Sequence, residues 1–179
     1  MRLWTRGLIV VIISLVASPA FTQDWAKARL ENSRRHLEWV KVSHDDREVN
    51  CFLTYPEVPD KAHAVIVIHE IFGLTDWARG VADQLSEAGY IAIAPDLLSG
   101  TGPNGAGTES YGSGDAVRMA IGNLPPDQIT ADLNAVAQYV TELPAADGTL
   151  SVCGFCWGGG QSFRFATNHR NLKAAFVFY

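Results

Sequence analysis

The feature of this sequence that most constrains its fold is a cysteine flanked by glycines, GFCWG at residues 154–158. The apolar, β-prone residues from Leu150 predict a strand before it, and residues 161–168 predict a helix after it. In a sharp strand-to-helix turn the central residue is exposed on a strained corner, and glycines on either side let strand and helix pass without Cβ clashes. A helix N-terminus also favours a nearby thiolate. The pattern therefore predicts that Cys156 is a nucleophile.

Length and composition limit the other possibilities. The chain has 179 residues with 47% hydrophobic content, which is enough for one globular domain with a sizeable core. A formal charge of −5 without a basic patch argues against a nucleic-acid partner. Three cysteines are too few for a disulfide framework. The His and Cys residues show no metal-ligand spacing, so we expect neither a metal nor an organic cofactor.

The N-terminal residues have the order of a secretory signal peptide. Arg2 and Arg6 supply positive charge, Leu8–Val16 is almost entirely apolar, and Ala20 offers a cleavage site. The apolar core is roughly half of the ~20 residues that a membrane span needs. We therefore expect a signal peptide at residues 1–20, export to the periplasm or the exterior, and no stable membrane anchor after cleavage.

The remaining chain predicts an α/β fold. Residues 21–36 are charged and predict a solvated helix or arm, whereas Leu37–Val42 and Glu48–Tyr55 predict an antiparallel hairpin at a sheet edge. Buried-strand and helix patterns then alternate, which predicts a mostly parallel sheet wrapped by helices in a domain at residues 37–179. The further strands are predicted at Ala64–Ile68, Tyr90–Ala94 and Ala174–Phe178, and the helices between them at 75–88 and 125–143.

Two segments carry more specific expectations. In the first of these helices apolar residues recur at spacings of four, four and three, which predicts that they share its core-facing side: Trp77, Val81, Leu85 and Ala88. The segment Ser99–Gly114 is rich in Gly, Ser, Thr and Asn and predicts a long flexible loop. Long loops within compact domains are often functional.

Three segments resemble the dienelactone hydrolase family of α/β-hydrolases: VIHEIFG at residues 67–73, APDL at 94–97 and GFCWGG at 154–159. The resemblance extends from about Leu37 to Tyr179. It implies the α/β-hydrolase fold, a small-molecule ester or lactone substrate, and hydrolysis through an acyl-enzyme on the cysteine. It implies no cofactor.

The resemblance also implies roles for residues around Cys156. Glu70 follows a buried strand at the carboxyl edge of the sheet, where it would tune the thiol–thiolate state of the nucleophile. The backbone N–H groups of Ile71 and Trp157 would form the oxyanion hole. Arg118 could pair with a substrate carboxylate through its guanidinium, and an ordinary surface arginine is the alternative.

Two polar residues near these segments carry structural expectations. We expect His69 to be a hydrogen-bonded histidine at a strand end, and Asp96 to hold a turn after Pro95.

The residues that would complete a catalytic triad are missing after the nucleophile. In this fold the nucleophile is followed by an acid and then by a histidine. No Asp or Glu follows Cys156, and the single later histidine, His169, lies near the end of the next helix. We therefore expect an incomplete member of the family, truncated after the strand that ends at Tyr179, which as given does not complete the hydrolysis.

Two interpretations from other classes stay open. Cys153 and Cys156 form a C-x-x-C pattern before a helix, as in thioredoxin-like oxidoreductases, although Cys153 falls within the predicted strand. The missing acid and histidine favour a second alternative, a non-catalytic binding protein or fragment with an α/β-hydrolase-like fold.

Overall fold

The computed structural model describes residues 24–179, in which six strands form one sheet and five α-helices pack around it. The helices are α1 (Asp24–Glu31), α2 (Asp76–Glu87), α3 (Gly114–Gly122), α4 (Pro126–Glu142) and α5 (Trp157–Asn168). The strands are β1 (His36–His44), β2 (Arg47–Tyr55), β3 (Ala62–Ile68), β4 (Ile91–Pro95), β5 (Ala146–Phe155) and β6 (Leu172–Phe178).

The predicted signal peptide at residues 1–20 lies outside the described residues. Within residues 24–179, no helix has both the length and the apolar character needed to cross a membrane.

The sheet has the strand order β1-β2-β4-β3-β5-β6. The pairs β1–β2 and β2–β4 are antiparallel, whereas β4–β3, β3–β5 and β5–β6 are parallel. The structure thus confirms the predicted edge hairpin followed by a parallel sheet. Parallel strands require crossover connections, and the helices between them supply these and cover both faces of the sheet.

The continuous apolar run of β3 follows from burial on both faces. Ala64, Ile66 and Ile68 belong to the larger core cluster, on the face covered by α4 and α5. Val65 and Val67 belong to the smaller cluster, on the face covered by α2. Successive side chains of a strand point to opposite faces, so a strand between two helix layers must be apolar at every position.

The predicted buried face of α2 is wrong in detail. Trp77, Val81 and Leu85 are only half-buried, whereas Ala78 and Ala82 are fully buried against the sheet. Small side chains let the helix approach the strands closely. The larger side chains lie to one side of this contact. Two of them, Val81 and Leu85, line an apolar groove of 760 Å³ together with residues of β5 and β6.

The segment 21–36, predicted as a solvated helix or arm, contains helix α1, which packs on the domain instead of standing free in solvent. Within α1, Ala26 is fully buried, and a Cβ built on Gly80 of α2 would lie 3.7 Å from the Ala26 Cβ. Two small residues at the crossing allow the two helices to approach closely. Helix α1 is therefore part of the folded unit.

A buried carboxylate anchors this N-terminal segment to α2. The Asp83 side chain is completely buried and accepts hydrogen bonds from Arg35 Nε at 2.7 Å, Arg35 Nη2 at 3.0 Å and Ser33 Oγ at 2.5 Å. Arg29 Nε lies 2.8 Å from Oδ2 of the same carboxylate. Burial acts to raise the pKa of Asp83, but the hydrogen bonds from Arg35 and Ser33 and the arginine charges outweigh it and hold the pKa below its ordinary value.

Asp83→Asn should destabilise the fold at pH 7 by about 3 kcal/mol, because it leaves two arginines without their buried counter-charge. The folded-state pKa of Asp83 lies below the unfolded value of about 3.9, so its stabilisation is complete above about pH 4 and is lost as the pH falls through the folded-state pKa. Urea unfolding of both proteins should therefore show a difference that narrows below pH 4. Asp127→Asn, at an exposed carboxylate 3.4 Å from Arg164, is the control and should change little. An equal effect of both substitutions would contradict this account.

Candidate active site

Cys156 lies at the sharp turn between β5 and α5. Its backbone has φ 54° and ψ −119°, a conformation that non-glycine residues rarely adopt and that costs on the order of 1–3 kcal/mol. The helix begins at Trp157, four residues before the Gln161 start that the sequence predicted. Three consecutive glycines occupy its first turn. Because glycine is a poor helix former, helix propensity alone does not predict this start.

The glycines on either side of Cys156 are required by close backbone contacts. A Cβ built on Gly154 would overlap the carbonyl oxygen of Gly158. A Cβ built on Gly158 would overlap the carbonyl oxygen of His69 and lie 2.6 Å from that of Ile68. The first turn of α5 therefore rests directly on the last peptides of β3.

This contact brings Glu70 to the same edge of the sheet as Cys156. Strands β3 and β5 are parallel neighbours with Ile68 opposite Gly154. Glu70 and Cys156 each lie two residues beyond this pair, just past the carboxyl ends of their strands. Glu70 is half-buried, and burial raises its pKa. Among residues 24–179 its carboxylate has no ion-pair partner.

The two N–H groups predicted for the oxyanion hole flank this edge. Ile71 follows Glu70 directly, and its N–H donates no backbone hydrogen bond within the described part of the chain. Trp157 is the first residue of α5, and the N–H groups of a first helical turn have no acceptor within the helix. Neither N–H group therefore has a backbone acceptor among residues 24–179.

The segment Ser99–Gly114, predicted as flexible, is anchored beside the site. Buried Asp96 accepts hydrogen bonds from the N–H and the hydroxyl of Thr108, both at 2.7 Å. The Thr108 hydroxyl in turn accepts from the Leu74 N–H at 3.1 Å. Asp96 also accepts from the Leu98 N–H at 3.1 Å, which confirms its turn-holding role. No local sequence pattern indicates the role of Thr108, because its partners lie 12 and 34 positions away.

Arg118 lies on α3, a helix that the sequence analysis did not predict. It is half-exposed and ion-paired with Asp115, and its guanidinium carbon lies 5.9 Å from the ring centre of Phe72. Phe72 directly follows Ile71, so the arginine is next to the loop that contains a predicted oxyanion donor. Its role in binding substrate stays a prediction.

The other two cysteines are buried thiols. Cys51 is packed within β2, and burial raises its pKa. Cys153 lies within β5, and burial raises its pKa to about 12. A redox-active C-x-x-C pair requires a lowered thiol pKa. The environment of Cys153 is the opposite, which argues against the oxidoreductase interpretation.

His169 does not reach the elbow. It caps the C-terminal end of α5, where its ring stacks on Phe165 and its Nδ1 lies 3.1 Å from Asn134 Oδ1. A helix of 12 residues is about 18 Å long, so this ring and Cys156 lie at opposite ends. Residues 24–179 hold no cluster of three or more His, Cys, Asp or Glu side chains suited to a metal ion.

Comparison with known proteins identifies the family of the chain. The model of the dienelactone hydrolase family matches residues 49–179. The chain belongs to the dienelactone hydrolase family. A Salmonella typhi protein, provisionally named a carboxymethylenebutenolidase, is 33% identical over 135 residues, which cover 74% of this chain and 48% of that protein. An Escherichia coli K12 protein with the same provisional name is 36% identical over 117 residues, covering 64% and 41% respectively.

A solved structure supports the same assignment. The crystal structure of a provisionally named dienelactone hydrolase from Klebsiella pneumoniae superposes with a TM-score of 0.69 at 26% identity, covering 78% of this chain and 58% of that one. The comparison confirms the predicted α/β-hydrolase fold. The present chain spans about half the length of the curated relatives that it matches.

Two glycine substitutions on one helix test the contact that forms the turn at Cys156. Gly158→Ala should cost at least about 3 kcal/mol of stability or prevent folding, because the new Cβ meets backbone atoms that cannot move independently. Gly160→Ala should be neutral or stabilise by about 0.5–1 kcal/mol, since nothing lies within 4 Å of its Cβ. Thermal unfolding of both variants measures the contrast. Similar stabilities for the two would contradict the proposed contact.

Proposed function

We propose that this protein is an ester or lactone hydrolase of the dienelactone hydrolase type, with Cys156 as the nucleophile. The observation that carries the proposal is the strained turn, which presents Cys156 beside two available backbone N–H groups. A strained backbone persists only where the surrounding structure enforces it, and such positions cluster at active sites. Family membership supports the same chemistry.

The proposed first half-reaction begins once the Cys156 thiol has lost its proton to a base. The Cys156 thiolate attacks the carbonyl carbon, a C–S bond forms, and the carbonyl π electrons move to oxygen. The N–H groups of Ile71 and Trp157 donate hydrogen bonds to this oxyanion. Collapse restores the C=O bond and breaks the bond to the leaving oxygen, which departs with the bonding electron pair and takes up a proton, and an acyl-enzyme remains. Water then cleaves the acyl-enzyme, a step that requires a base.

Glu70 has a separate role in this proposal, which is to set the protonation state of the nucleophile. Its carboxylate is half-buried at the sheet edge shared with Cys156. A negative charge close to a thiol disfavours the thiolate, and partial burial strengthens the effect because the dielectric is lower. Glu70 would thereby hold the thiol protonated until a substrate or another group changes the balance.

Arg118 would extend recognition to substrates that carry a carboxylate. Its guanidinium presents a planar fork that matches a carboxylate, and its position against Phe72 keeps it close to the oxyanion loop. Asp115 already neutralises part of its charge, so an anionic substrate would compete with that ion pair.

The nucleophile is tested by acylation of the full chain with p-nitrophenyl acetate, followed as a rapid release of p-nitrophenolate. Cys156→Ala should reduce the acylation rate by at least about 10³-fold, because no other nucleophile occupies the corner. Cys153→Ser is the matched control, three residues away, and should acylate at close to the wild-type rate. Loss of acylation in the Cys153 variant with retention in the Cys156 variant would overturn the assignment.

The role of Glu70 is tested by the rate of Cys156 alkylation with iodoacetamide at about pH 7. Glu70→Gln removes a negative charge from the edge of the sheet that it shares with Cys156, so alkylation should be at least about threefold faster than in the wild-type chain. Glu109→Gln, at an exposed carboxylate on the anchored loop, should leave the alkylation rate unchanged. An unchanged or slower rate in the Glu70 variant would contradict the proposed role.

A further inference from the structure

One buried side chain contacts both of the segments that supply the oxyanion donors. His69 is completely buried at the end of β3, and its Nδ1 lies 2.8 Å from the carbonyl oxygen of Glu70. Its Nε2 lies 3.4 Å from the backbone nitrogen of Leu97, which follows β4. Its ring stacks on the indole of Trp157 at 5.5 Å between ring centres and 12° between planes.

These contacts define which ring nitrogen carries the proton. The Glu70 carbonyl can only accept a hydrogen bond and the Leu97 N–H can only donate one. His69 is therefore neutral with its proton on Nδ1, which donates to Glu70, while Nε2 accepts from Leu97. Burial lowers the pKa of His69, which agrees with the neutral form.

The hydrogen bond to Glu70 acts on the first oxyanion donor. The Glu70 carbonyl and the Ile71 N–H belong to one planar trans peptide, so fixing the direction of the C=O bond also fixes that of the N–H bond. The Gly73 N–H donates to the same carbonyl at 3.2 Å, so this peptide is held from two sides. Donation to the carbonyl also polarises the peptide and strengthens its N–H as a donor.

The ring stack acts on the second oxyanion donor. Trp157 is the first residue of α5, and its indole packs flat on the His69 imidazole. The backbone of the next residue, Gly158, presses on the carbonyl of His69 itself. The same histidine therefore limits the movement of the Trp157 peptide relative to the Ile71 peptide.

We propose that His69 is a positioning residue for the oxyanion hole, orienting the Ile71 N–H through the Glu70 carbonyl and the Trp157 N–H through the ring stack. This inference rests on the proposed function. It assigns His69 no contact with substrate. It predicts that the residue affects only reactions that develop negative charge on a carbonyl oxygen.

Two reactions of the same thiol separate this role from a general structural one. Acylation by p-nitrophenyl acetate passes through an oxyanion, whereas alkylation by iodoacetamide displaces iodide from a saturated carbon and forms none. His69→Phe retains an aromatic ring against Trp157 but removes both hydrogen bonds. It should slow acylation by about 10- to 100-fold, less than or comparable to the loss of one oxyanion donor, and change alkylation by less than about twofold.

Two further variants complete the design. His69→Asn places an amide N–H near the position of Nδ1 and should restore acylation at least about fivefold over His69→Phe. His63→Phe is the matched control on the same strand, where it also removes two side-chain hydrogen bonds, to Thr149 and Ser151. It should lower stability without slowing acylation.

The outcomes distinguish this inference from the proposed function. Slow acylation with normal alkylation in His69→Phe, and recovery in His69→Asn, would support the positioning role. Wild-type acylation in His69→Phe, or equal losses in both reactions, would overturn it and leave the nucleophile assignment intact. Failure of the wild-type chain to acylate at Cys156 would overturn both proposals.

Discussion

The contact on which the site depends is that between Gly158 and the end of β3. Here the backbone of α5 meets the carbonyl oxygens of Ile68 and His69 with no room for a Cβ. The helix can approach this closely only because glycine has no side chain, and the approach forces the chain to reverse within one residue. That residue is Cys156, whose backbone strain is balanced by the packing on both sides. The position of the thiol is thus a property of the sheet and helix together.

The same edge of the sheet is stabilised from the direction of β4. The Asp96 carboxylate accepts hydrogen bonds from Thr108, and the Thr108 hydroxyl accepts one from the Leu74 N–H. The glycine-rich loop and the segment after β3 therefore form one hydrogen-bonded unit. Buried hydrogen bonds to a carboxylate are stronger than those between neutral groups, which suits a region that must stay fixed. Carboxyl ends of parallel strands are where α/β proteins assemble their sites, and the elements here converge at that place.

Local sequence patterns predicted most of the helices and strands. The features that they did not predict depend on contacts between residues far apart in the sequence. The glycines around Cys156 and the apolar run Ala64–Ile68 report directly on a close backbone contact and on two-sided burial, so both predictions were confirmed. The apolar stripe that contains Trp77 also follows the helical period. The fully buried residues of α2 are nevertheless the small ones beside that stripe, Ala78 and Ala82, because the helix packs close to the sheet. The buried carboxylate of Asp83 and the anchor at Thr108 depend on partners 12 to 54 positions away. No local pattern encodes such pairings.

A crystal structure of the chain treated with an aryl trifluoromethyl ketone tests the nucleophile and both oxyanion donors at once. Attack by a thiolate on this carbonyl gives a tetrahedral adduct whose oxygen imitates the oxyanion of the proposed reaction. We expect a covalent bond to Cys156 Sγ, with the adduct oxygen about 3 Å from the backbone nitrogens of both Ile71 and Trp157. An adduct on another residue, or an adduct oxygen that points away from both nitrogens, would contradict it.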